Sequence, residues 1–168
     1  FKKDNRNKKI KIFINNKFYT RKNAKISVFD SGFLLGDGVW TSLRLHKSKL
    51  IFLKAHIKRL YDDAKAIDIK IPKTKNKLIN DIYKTIKLNK MSTNVHIRII
   101  ISRGIKSTPY QDPSYTISNP TIVIIPEYKI PDQNLYIKGI TLKTVNIRRG
   151  PKNVQDPTLN TLSKLNCI

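Results

Sequence analysis

The chain has 168 residues, 34 Lys plus Arg against 11 Asp plus Glu, a formal net charge of +23 and a single Cys. That length suits one ordinary domain, or one domain and the start of a second, and a lone Cys excludes an internal disulfide framework and a Cys-based zinc site. A hydrophobic content of 39% excludes a disordered tail, and apolar runs no longer than IRIIIS and TIVII exclude a transmembrane helix.

Polar and apolar residues alternate over 11–15, after Lys9 and Ile10, which predicts a strand. Asn15 and Asn16 predict a tight turn into a hairpin partner, KFYTR. ISVFD then reaches a Gly-rich bend, DSGFLLGDG, from Asp30 to Gly38. VWTSLRL and KLIFL read as two short strands about a turn at His46–Ser48. The period then changes. Leu53, Ile57, Leu60, Tyr61, Ala64 and Ile67 recur at helical spacing, so 54–67 is an amphipathic helix. Leu78, Ile79, Ile82 and Ile86 mark a second, from about 74 to 88. NVHIRIIISRG and PTIVIIPEY read as two long strands joined by a polar, Pro-bearing loop.

EYKIPDQN, 127–134, has the composition of a linker. The alternation from Leu135 to Val145 predicts one more long strand, and the last residues predict a loop entering a helix near Asn160. The fold class expected is α+β: an N-terminal antiparallel sheet with two helices over 1–126, the linker 127–134, and the start of a second domain over 135–168. The chain opens on Phe1 and stops at Ile168 inside an apolar stretch, so it reads as part of a longer protein.

The charge invites a nucleic-acid reading. Lys, Ile and Asn, however, make up about two-fifths of the chain, well above ordinary usage, as a genome rich in A and T would produce. The lysines are also spread along the chain and are not interleaved with aromatics. A solvated basic surface is favoured over a nucleic-acid or membrane footprint, and a basic nucleic-acid-binding module is the alternative from another class.

Three motifs could carry chemistry. DSGFLLGDG has neither the Lys-Ser/Thr of a phosphate loop nor the Gly spacing of a dinucleotide fingerprint, and alone it is a turn. In AHIKRL, His56 and Arg59 share a helix face, and the guanidinium could meet a phosphate through paired hydrogen bonds. In SKLN, Lys164 sits in an apolar surrounding, where partial burial would favour amine chemistry. The histidines at 46, 56 and 96 are too scattered to suggest a metal site.

In this order, the motifs resemble class IV aminotransferases, the pyridoxal-phosphate enzymes of fold type IV. That family opens with a strand hairpin and an Asp-x-Gly segment ending Gly-Asp-Gly, here DSGFLLGDG. A Val-aromatic strand follows, here VW, then a His-x-x-Arg-Leu helix, here HIKRL. A strand ending Arg-Gly comes next, here IRIIISRG, and later a Lys before Leu-Asn, here KLN. RGIKSTPYQDP and VQDPTLNTLSKLNCI are similar to the branched-chain subgroup.

The resemblance implies pyridoxal 5'-phosphate as cofactor, held covalently by Lys164, which would also carry the proton, with Arg59 on the phosphate. It implies a substrate pocket with Trp40, Arg98, Arg103 and Tyr110, the loop from Arg103 to Pro113 facing the active site. It implies amino-acid and 2-oxo-acid substrates, a homodimer, a cytoplasmic location and a pseudo-barrel second domain. D-amino-acid transaminase and aminodeoxychorismate lyase share these features, and a non-catalytic relative is a further reading. The sequence departs from the family in three places. Lys164 is two residues before Asn166 where the family has three or more, Cys167 stands where a Tyr is frequent, and Thr41 stands where Glu is frequent. The family's second phosphate-binding segment and the carboxylate for the pyridine nitrogen are expected beyond Ile168, which leaves half a site and no turnover by these 168 residues alone.

Overall fold

A computed structural model describes residues 4–148, 150–154 and 156–165. Its centre is a six-stranded antiparallel sheet of order β2-β1-β6-β5-β3-β4. The strands are β1 (Lys11–Ile14), β2 (Lys17–Thr20), β3 (Gly38–His46), β4 (Lys49–Leu50), β5 (Val95–Ser102) and β6 (Ile122–Tyr128). The helices are α1 (Ser31–Leu35), α2 (Leu53–Ala66), α3 (Lys75–Leu88) and α4 (Asn134–Lys138).

The first hairpin forms as its residues dictate. Asn15 and Asn16 both take positive φ, 45° and 73°, the pair of left-handed residues that a two-residue turn needs to match strand twist. The long helices also follow their spacing. Ile57, Leu60 and Ala64 of α2, and Leu78, Ile82 and Ile86 of α3, are buried. They lie over alternate residues of the sheet, Val39, Leu43 and Leu45 of β3 and Val95, Ile97, Ile99 and Ile101 of β5, as a pleat of period two requires. Asn89, just after α3, exchanges two side-chain hydrogen bonds with the backbone of Lys11, at 2.7 and 2.9 Å, fixing that helix end to β1.

The opposite face of the sheet is different. Trp40, Ser42, Arg44, His96, Arg98, Ile100, Val123 and Ile125 point there and are half-buried. Neither long helix covers that side.

The expected strand KLIFL is cut to Lys49–Leu50, since Leu53 already opens α2, and two expectations in the C-terminal part do not hold. Residues 135–145 form no strand: Asn134–Lys138 is the one-turn α4, and 139–145 run exposed with no regular structure. Their alternation is real, but a strand exists only where its N–H and C=O groups find a second strand, and no described strand pairs with them. The helix expected near Asn160 is also absent over 160–164. Thr161 instead forms a bridge with Val39, with Trp40 N–H donating to Asn160 O and Leu162 N–H to Gly38 O. The Gly-rich bend holds a short helix, α1, capped by the Asp30 side chain accepting from Gly32 N at 2.9 Å and closed by Gly36 at φ 67°.

Tyr61 offers a check on how α2 packs. Its hydroxyl donates to Lys73 O at 2.7 Å, and burial pushes the phenol up to about 12, above its ordinary value of roughly 10. The neutral phenol is the form the fold favours. Its contribution to stability is therefore intact below about pH 10 and is lost as pH rises from there through about 12. Absorbance at the phenolate band should show one tyrosine titrating late, and Tyr61→Phe should remove it.

Candidate active site

The buried face of β3 carries a polar residue at its centre. Thr41 is fully buried between Val39 and Leu43, opposite the first turns of α2. Its Oγ1 accepts from Arg59 Nη2 at 3.3 Å and lies 3.2 Å from His56 Nδ1. Arg59 Nη2 also approaches that same Nδ1, at 3.5 Å. Nδ1 is thus the accepting nitrogen and the ring proton sits on Nε2. Burial, and then the Arg59 charge, hold the His56 pKa below its ordinary value, so the imidazole stays neutral near pH 7.

One helical turn beyond Arg59 is Asp63, four positions on and so on the same face. It is 5% exposed. Its Oδ2 accepts the backbone N–H of Asn160 at 3.3 Å. Burial raises its pKa, opposed by the Asn160 hydrogen bond and by the charges of Arg59 and Lys164. A buried carboxylate with two cations within electrostatic reach thus joins α2 to the C-terminal segment.

That segment is held on both sides. Thr161 bridges to Val39, and the Trp40 indole Nε1 donates to Thr161 O at 3.1 Å. The Lys164 ammonium, partly buried, donates to Leu159 O at 3.2 Å.

Of the residues singled out from sequence, Arg59 shares a helix face with Asp63, whose hydrogen bond to Asn160 draws in the segment carrying Lys164, and Trp40 fixes that segment. Arg98 lies on the half-open face, its guanidinium 4.2 Å above the Trp40 ring. Arg103 stands apart. It makes a fork with Asp37, at 2.6 Å from Nε and 3.1 Å from Nη2, and donates to the carbonyls of Ile67 and Asp68 at the end of α2. This ties a strand end to a helix end and occupies all three guanidinium nitrogens. Tyr110 is 61% exposed and edge-on to Tyr115, with ring centroids 5.7 Å apart, on the loop between β5 and β6. Lys106 anchors that loop. It is 1% exposed and its ammonium donates to Asp112 O at 2.8 Å. Asn166 and Cys167 lie outside the described residues.

Sequence reasoning passed over Asp63. Its signal was a carboxylate on the apolar stripe of α2, between Leu60 and Ala64, four residues after Arg59.

A sheet with helices on one face, and an Arg, a Lys and a buried Asp on the elements where β3, α2 and the C-terminal segment meet, define an α+β domain with a polar cluster at one edge. Residues 38–168 match the family model for amino-transferase class IV, and the chain belongs to that family. It is 39% identical over 160 residues to a Methanocaldococcus jannaschii protein named provisionally as a branched-chain-amino-acid aminotransferase, covering 95% of this chain and 54% of that protein. A D-alanine aminotransferase of Listeria monocytogenes is 33% identical over 99 residues, 58% of this chain and 34% of that one. Among solved structures, the branched-chain aminotransferase of Thermoproteus uzoniensis with norvaline superposes at a TM-score of 0.78, with 21% identity, over 94% of this chain and 53% of that one. Another branched-chain amino acid aminotransferase, with pyridoxamine 5'-phosphate, superposes at 0.80, with 23% identity, over 92% of this chain and 51% of that one. These likenesses establish the fold. The chain spans about half the length of these proteins, or less.

Proposed function

We propose that the complete protein is a pyridoxal-phosphate-dependent transaminase moving an amino group between a branched-chain amino acid and a 2-oxo acid. The observation that carries this is the hydrogen bond from Asn160 N–H to the buried Asp63, which brings the segment bearing Lys164 to the helix face bearing Arg59. The branched-chain class is favoured because the M. jannaschii relative matches 95% of the chain and the D-alanine enzyme 58%. We further propose that residues from 135 onward open the second domain, that the protein is a cytoplasmic homodimer, and that the loop bearing Tyr110 serves the site.

The donor set suits the cofactor. Arg59 uses Nη2 on Thr41 and His56, and its Nε and Nη1 make no hydrogen bond among the described residues. Nε and Nη1 are thus two separate donors left for a phosphate, each able to meet one of its oxygens through a charge-assisted hydrogen bond. Thr41 and His56 hold the guanidinium plane. When bound, pyridoxal phosphate supplies an aldehyde carbon that takes up amines and a ring that stabilises negative charge on the substrate α-carbon. Lys164 would hold the cofactor through Nζ, and the same Nζ would carry the α-proton. Trp40 sets the angle of the segment that carries the amine.

A second reading, a non-catalytic relative, is favoured by one observation. The residue that the segment sets between Trp40 and Asp63 is Asn160, which has no amine, while Lys164 turns back on Leu159. Borohydride reduction of the cofactor-loaded complete protein, followed by peptide mass mapping, separates the two. We expect the pyridoxyl mass on Lys164 and its loss in Lys164→Ala. A label on another lysine removes Lys164 from the role. Retained cofactor with no label establishes the non-catalytic reading.

A further inference from the structure

The connection between β5 and β6 is clamped at its base and nearly free at its tip. At the base, Lys106 bridges to Thr116 and its N–H donates to Phe29 O at 2.9 Å. Ser107 N–H donates to Tyr115 O, and Ile117 N–H to Ile105 O, each at 2.9 Å. Residues 108–111, Tyr110 among them, make no hydrogen bond among the described residues. Two contacts place this tip. The Tyr110 ring stands edge-on to Tyr115, and the Lys106 ammonium donates to Asp112 O at 2.8 Å. The second contact closes the loop 106–112 around Tyr110.

For stability alone, an ammonium is a poor choice at this position. Lys106 is buried, and among the described residues no carboxylate forms an ion pair with it. The Asp112 carboxylate is within electrostatic reach, but its hydrogen bond goes to Ser114 N, at 2.8 Å. Burying a charge without a close partner costs free energy. The Thr116 hydroxyl, on the residue opposite Lys106, is also buried and without a partner among the described residues. A methionine has nearly the length of lysine and would fill the same space without a charge. What it lacks is a donor for the tip.

We infer that Lys106 is a positioning residue: its ammonium, through Asp112 O, fixes the tip and so the place that Tyr110 takes toward the amino-acid substrate. The charge is kept for the geometry it imposes, against its cost in stability. This rests on the reading that the tip serves the site, and it names the group that holds the tip there. The hold itself needs no cofactor and no turnover, so it stands or fails separately.

Lys106→Met in the complete, cofactor-loaded protein separates this role from a merely structural one. The melting temperature should be unchanged or raised, because the buried charge is gone. Chymotrypsin cleavage after Tyr110 should quicken by roughly tenfold as the tip opens. KM for the amino acid should rise by roughly tenfold, with kcat within about threefold of the parent. Tyr110→Ala should raise KM to a similar extent, and adding Lys106→Met to it should change KM no further, because both act through one contact. Lys106→Gln, neutral and shorter, should reproduce the methionine result and replaces it if the methionine variant folds poorly. Unchanged cleavage after Tyr110 overturns the hold on the tip. So does a large fall in melting temperature with cleavage spread over the sheet, which makes Lys106 an ordinary core residue. Faster cleavage with unchanged KM, or a KM effect that adds to that of Tyr110→Ala, overturns the positioning of Tyr110. A parent protein without transamination sinks the transaminase reading instead, and the cleavage comparison then decides the hold of Lys106 by itself.

Discussion

Gly38→Ala should destabilise the complete protein by roughly 3 kcal/mol, one of the two largest effects expected here. A Cβ at Gly38 would lie 2.5 Å from Ile101 O, 2.6 Å from Leu162 Cδ1 and 2.9 Å from Ser102 Cα. The leucine can turn away, but the two backbone atoms cannot move without opening the end of the β3–β5 ladder. The Gly38 carbonyl also accepts from Leu162 N at 2.8 Å, so the same methyl dislodges the segment that carries Lys164. Chemical denaturation should show the loss of stability, and limited proteolysis should cut within 150–165 before the sheet is attacked. A variant as stable as the parent, with that segment protected, would contradict the close packing at the sheet edge.

Arg103→Ala should cost about 3 kcal/mol or more, as expected when one member of a poorly solvated pair is removed. The side chains of Arg103 and Asp37 are only 16% and 19% exposed. Truncation leaves the Asp37 carboxylate and the carbonyls of Ile67 and Asp68 without their donor. Arg103→Lys should recover only part of the loss, because an ammonium cannot span a carboxylate and two carbonyls as a planar fork does. The resemblance assigned Arg103 to the substrate pocket. A variant of unchanged melting temperature with a raised KM for the acid substrate would restore that assignment.

The residues that the sequence placed well are those whose neighbours are close in the chain. The periods of α2 and α3 and the turn at Asn15–Asn16 are local signals, and each element formed within a residue or two of its expected bounds. α1 was legible in principle. Asp30 two residues before a glycine and Gly36 at the far end are ordinary helix caps, but five residues are too few to show a period. The run from Leu135 misled because alternation says which residues could share a face and nothing about whether a second strand is present. The sheet order was hidden for the same reason. Nothing in the hairpin β1–β2 says that it pairs with β6. Around the candidate site, HIKRL gave His56 and Arg59 together because they are three apart on one helix. Asp63, Thr41 and the bridge of Thr161 to Val39 depend on contacts between distant parts of the chain.

That distance orders events as well as atoms. Trp40 and Thr161 are 121 positions apart, and Asp63 and Asn160 are 97 apart. Every strand of the sheet has been synthesised by Tyr128, whereas the segment that completes the cluster comes more than thirty residues later. Closing a loop of that size costs conformational entropy that local contacts cannot offset in advance. On a chain made from its N-terminus, the sheet can condense first and the cluster last. Competence to bind at that edge is then a late signal of folding, acquired after the rest of the domain already has its native shape.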